Sequence, residues 1–438
     1  MTHRLHTLAL AAACLAAAAA QAQTAEGSAN VTTQASGSGS LTQTGNGAGA
    51  NARQSLLVAA TEAQANLGSS TLTLVGTVAA DALQSRTGTG GNGSGLQRLS
   101  VGGASGELQL RTATTEGRLL APVVQNLQSD NGLQHIGVAT LNNAFGGSVR
   151  AVGTLTRGGV RQDLTGGSLA QRVLVGSADG VNVTDATLDG FLAARVDQVG
   201  QGPVGEQTLS VGSAQSSGGA SVSAGGQFFG SLSQQQAGSV GTTTQRVEIG
   251  SVRGAGDAAR LFASGRADAQ VTQTLAGTGG VQDLTVGSAI NRGAGNVFTV
   301  GDFRGRLDQS GSGDRALQRV DIGSAIAGSG NVSTQATVDA EIAQSSTAAG
   351  AGQLLQTVAV GTVNGTLASA QTRASLEGRV VQTADAGSGV PTQSVAIGSV
   401  KGSTGLVART DAAFSGTLAQ TTAQGGGSQA IAIGSVGR

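Results

Sequence analysis

The residues able to do chemistry are few. Outside the first 22 positions the chain holds one histidine, His135, and no cysteine. A Ser-His-Asp triad would have to use that imidazole as its base. His135, however, stands in a repeat column that other copies fill with Arg, Thr or Asp, which reads as a surface position. His and Cys clusters for a metal are missing, and the aspartates do not follow the Gly-Gly-x-Gly-x-Asp spacing of calcium-binding repeats. Gly277-Thr-Gly-Gly280 is glycine-rich, but no Gly-Lys-Ser/Thr follows to make a phosphate loop. Paired carboxylates cleave glycosides, yet here Asp and Glu are scattered and no insertion builds a cleft. The chain therefore reads as a non-enzyme without cofactor or metal.

One polar group does recur with a spacing that matters, the glutamine amide. Gln54, Gln97, Gln134, Gln171, Gln207, Gln245, Gln282, Gln318, Gln356, Gln393 and Gln429 each open a short motif. It runs Gln, any residue, aliphatic, any residue, Val or Ile, Gly (twice Ala), then usually Ser, as in Gln245-Arg-Val-Glu-Ile-Gly-Ser251. From Gln97 onward the steps are 37, 37, 36, 38, 37, 36, 38, 37 and 36 residues. A second set, Gln43, Gln84, Gln125, Gln162, Gln198, Gln234, Gln273, Gln309, Gln344, Gln382 and Gln420, follows an apolar residue two positions earlier. The unit is thus a mirror: aliphatic-x-Gln, a Gly/Ser/Thr turn, Gln-x-aliphatic. A fixed period in this range signals a solenoid, propeller or array.

An amide both donates and accepts. Buried alone it costs roughly 1–3 kcal/mol. Stacked on its equivalent at the strand spacing of about 4.8 Å, it satisfies itself along the column. The glutamines share parity with the aliphatic face: Gln393, Val395 and Ile397 point one way, as do Ile342 and Gln344. Two structural ladders of eleven glutamines each are the expected site.

The elements that must carry them alternate with period two, as strands do. Before Gln344, one face holds Val332, Thr334, Ala336, Val338, Ala340 and Ile342; the other holds Asp339 and Glu341, so in both arms one face reads as buried and the other as wet. The glycine after each short arm reads as a turn and the residues beyond it as a loop. Outward charges form columns. Arg246, Asp283 and Arg319 alternate in sign, Arg161 and Asp197 share a column as a candidate pair, and Arg98, His135 and Arg172 are a less favourable run. The expected fold is an all-β solenoid of about eleven strand-turn-strand layers over residues 41–438, roughly 50 Å long at that spacing. One coil or two coils per repeat are both open.

Composition narrows the rest. Glycine is 73 of 438 residues, which argues against a helical repeat at about 1 kcal/mol for each helix position. The absence of Trp and Tyr argues against an outer-membrane barrel with aromatic girdles. Without basic runs or stacking aromatics, no nucleic-acid partner is expected. Residues 1–22 read as a secretory signal: Arg4, the apolar run from Leu8 to Ala20, and a small-residue cleavage site at Ala20-Gln-Ala22. That run is too short and alanine-rich for a good span, and no later stretch crosses a bilayer. Cys14 would leave with the signal; its other reading is lipid attachment. Residues 23–40 read as a flexible segment, either a linker or a handle for export machinery. The chain is expected to be secreted, to the cell surface or beyond.

At Leu41-Thr-Gln43-Thr-Gly45-Asn46-Gly-Ala-Gly-Ala-Asn51-Ala52-Arg-Gln54 the chain resembles a curlin repeat. The longer period is more similar to Fap-type biofilm amyloids, whose motif differs. The resemblance implies secreted subunits that fold as strand-turn-strand solenoids and polymerise as biofilm amyloid, with outer-membrane export machinery and a nucleator as partners. The expected function is a secreted structural protein that stacks end to end on further copies of itself into extracellular amyloid-like fibres, from an uncapped last layer at Ser435-Val-Gly-Arg438. The alternative is a monomeric solenoid adhesin binding carbohydrate or a protein partner along a flat face.

Overall fold

The architecture was obtained as a computed structural model, which describes residues 31–438 apart from 47–50, 63–64, 67–70, 88–92, 216–217, 240–242, 256–257, 278, 349, 351, 403–406, 424–426 and 438. The expected signal and the first part of the expected flexible segment lie outside the described residues.

Every regular element among the described residues is a β-strand, and every strand pairing is parallel. Layer 8 shows the unit. A long strand, Asn296–Ser312, leads through a tight turn to a short strand, Arg315–Ile322, and then to a third strand, Ala325–Ser329. Eleven short strands stack into one sheet, while long and third strands make up a 24-stranded second sheet. The repeat is therefore one coil of a β-solenoid. Gln245 lies on Gln282 and Gln309 on Gln344, without register slip.

The period-two pattern sorts into two cores. Val338, Ala340 and Ile342 face the short strand's Val358 and Val360 in the first. Val332, further back on the same long strand, packs with Val363 of the third strand in the second. All six inward residues named on that strand are buried. In a strand only alternate side chains share a face, so one long strand lends its inner face first to one core and then to the other.

Four expectations need correcting. The residues after the turn glycine are not loops: in most layers they form a short strand, such as Ala178–Asp179 or Val252–Ala255. Two to six residues are too few to show a period. The outer face of the short strands is consequently not wet throughout. Gln215 and Arg253 of the third strands reach Glu248, which is 1 % exposed, and His135 is buried rather than a surface residue. Val31–Gly37, read as part of the flexible segment, is a strand paired in parallel with Thr71–Val78, because Val31, Thr33 and Ala35 continue the alternation. Finally, Arg161 stacks over Asp197 but bonds Asp163 at 2.7 Å, and Asp197 bonds Arg195 at 2.7 Å. A long Arg side chain spans the ~6.8 Å between alternate residues of one strand as well as the ~4.8 Å step to the next layer, so the in-register carboxylate has no exclusive claim on it.

Candidate functional site

The structure brings all 22 predicted glutamines into two columns. In the short-strand column each Nε2 donates to Oε1 of the layer before it, from Gln97 on Gln54 to Gln429 on Gln393, at 2.8–3.0 Å. In the long-strand column the same bond runs from Gln84 on Gln43 to Gln420 on Gln382, at 2.7–2.9 Å. Both ladders point in one direction, so their amide dipoles add along the axis. Chains of such bonds polarise and strengthen one another.

The second Nε2 proton is also used. Gln134 donates to the carbonyls of Gln125 and Asp163, and Gln125 donates to that of His135. Gln171 repeats this on Gln162, and Gln207 on Gln198. Each column therefore closes the backbone of the other arm across the turn. Eighteen of the glutamines are buried; only Gln43, Gln54, Gln420 and Gln429, in the first and last layers, are less so. A buried amide with every group paired is rigid, whereas one missing partner is expensive.

A third ladder was missed. The serine after the turn glycine accepts a hydrogen bond on Oγ from the backbone N–H of its equivalent one layer on: Ser213 to Ser177, Ser251 to Ser213, Ser288 to Ser251, and Ser324 to Ser288. Its own Oγ donates to the carbonyl two residues back, as from Ser213 to Val211. The recurring Gly-Ser pair was the available signal. The glycine before it turns the chain at φ near +56°, and a Cβ on Gly250 would lie 1.7 Å from the Ser264 carbonyl oxygen. The two alanines in this column, Ala59 and Ala139, share the left-handed conformation at φ 47° and 52°.

Charges on the outer face of the short strands are paired through the third strand or between neighbouring short strands. Arg253 bridges Glu248 at 2.9 Å and Asp283 of the next layer, and Arg172 meets Glu206 at 2.9 Å. Burial pushes the Glu248 carboxyl above its ordinary range against the pull of Arg253 and Arg246. Burial likewise pushes Asp321 up to about 6, with Arg319 opposing. His135 lies directly between Arg98 and Arg172, and burial together with those two cations pushes it down to about 3. The unfavourable run of like charges is thereby relieved: at neutral pH its middle member is uncharged.

Among the described residues no group of three or more His, Cys, Asp or Glu is placed to hold a metal ion, and no helix is long and apolar enough to cross a membrane. Comparison with family models, with curated proteins and with solved structures gave no match.

Proposed function

We propose that this chain is a secreted structural protein whose copies stack along the solenoid axis into extracellular amyloid-like fibres. One observation carries the reading: the surface between layers is the same surface ten times over. Gln meets Gln, aliphatic meets aliphatic, and every bond runs in one sense. A layer of one copy is chemically equivalent to the layer on which a second copy would rest, so the contacts that hold the molecule together also suit a fibre. The curlin-like stretch at Leu41 to Gln54 supports the same reading. An amyloid-dye time course with sedimentation on the purified chain tests it. Growth after a lag, shortened by preformed seeds, is expected; a chain that stays monomeric for days at micromolar concentration contradicts it. The second reading, a monomeric adhesin, draws support from phenylalanines that face outward on the long strands.

A further inference from the structure

Phe191, Phe229, Phe262 and Phe298 come from four successive long strands and face away from both cores. In a chain with eight Phe and no Trp or Tyr, core packing does not account for aromatics placed there. Around Phe191 the outer face is shaped into a groove of about 550 Å³ that crosses five layers. Two columns line it in register. One runs Asp189, Gly225, Ser264; the other runs Phe191, Gln227, Arg266, Asp302. The Asp189 carboxylate leans over Gly225, where a Cβ would sit only 3.0 Å from its Oδ1, so the missing side chain leaves room for that carboxylate on the groove floor. The Phe191 ring is braced by Phe229, with centroids 5.8 Å apart, and the Arg266 guanidinium lies 5.4 Å from the Phe229 centroid. Arg266 also approaches Asp302 at 3.8 Å.

We propose that this groove binds a neutral, extended polysaccharide lying along the solenoid axis. A pyranose has an apolar C–H face and a rim of hydroxyls that both donate and accept. The Phe191 ring offers a surface for the face. Asp189, Gln227 and Asp302 accept from the rim, while Arg266 and Gln227 donate to it. The two carboxylates, Asp189 and Asp302, outnumber the one guanidinium, Arg266, so a polyanion is disfavoured here. A new polar side chain follows at each layer, about 4.8 Å on, which matches the length of a sugar residue in an extended glycan. The site is complete within one chain and does not rest on fibre formation.

Isothermal titration of the full chain with cellohexaose, laminarihexaose and chitohexaose, and with polygalacturonate as a polyanion, tests this. At least one neutral oligosaccharide is expected to bind, with affinity insensitive to salt. Phe191→Ala and Gly225→Leu, which puts a bulky side chain between Asp189 and Ser264, are each expected to weaken it tenfold or more. Phe145→Ala, outside the groove, is expected to leave it unchanged. Should either groove variant melt abnormally, Asp189→Asn serves instead, with a several-fold loss expected. Lack of binding to all three oligosaccharides, equal binding by native and groove variants, or salt-sensitive binding of polygalacturonate alone would overturn the proposal.

Discussion

Gln234 shows what one ladder residue does. It donates to Gln198 and accepts from Gln273. Replacing it with Leu keeps much of the volume but orphans Gln198 Oε1 and the ladder proton of Gln273, at about 1–3 kcal/mol each. Chemical denaturation of Gln234→Leu should show a loss in that range per orphan, whereas Gln235→Leu, next to it on the outer face, should be nearly neutral. His135 gives a pH prediction. Its folded value near 3 lies below the ordinary 6.5, so the unfolded chain takes up the proton first. The stability it contributes is full above about pH 6.5 and declines, by up to about 1.4 kcal/mol per unit, as the pH falls toward 3. Asp321 runs the other way. Its folded value near 6 is raised, so its contribution is full below about pH 4 and is lost as pH rises through 6. His135→Gln should flatten the acid limb of the melting curve, and Asp321→Asn should raise stability most above pH 6. Unchanged pH profiles in both variants would contradict the assigned burial.

At the scale of the element, the turn after each short strand decides whether the layer closes. Gly250→Ala puts a Cβ against the Ser264 carbonyl in a left-handed backbone and should destabilise by more than the ~1–2 kcal/mol of that conformation alone. Ala139→Gly relieves the same conformation and should stabilise by about 1 kcal/mol; thermal melts of the two variants should move in opposite directions. The long and short strands were legible in the sequence because Val332 through Ile342, or Gln393 through Ile397, alternate over enough residues to declare a face. The third strands were not, since Ala178–Asp179 has no period to read. That omission concealed the burial of His135 and Glu248, which depends on what folds back over them. The serine ladder was missed for a different reason: Gly-Ser reads as ordinary turn chemistry until the copies are known to stack.

For the whole molecule, the pairing of like with like follows from a near-constant period. Steps of 36 to 38 residues put their differences into turns, and the glutamine pairs stay in register. Twenty-two glutamines in phase with an aliphatic face make the ladders readable from the sequence alone. The outward phenylalanines were not readable as a group, since Phe191 and Phe229 become neighbours only through the stack. Whether the axial surface that joins layers also joins copies is tested most directly by X-ray diffraction from aligned assemblies of the purified chain. A meridional reflection near 4.8 Å is expected, weakened or lost in Gln234→Leu, Gln273→Leu material. Assemblies that form without that reflection, or with the strand spacing running across the fibre axis, would contradict it.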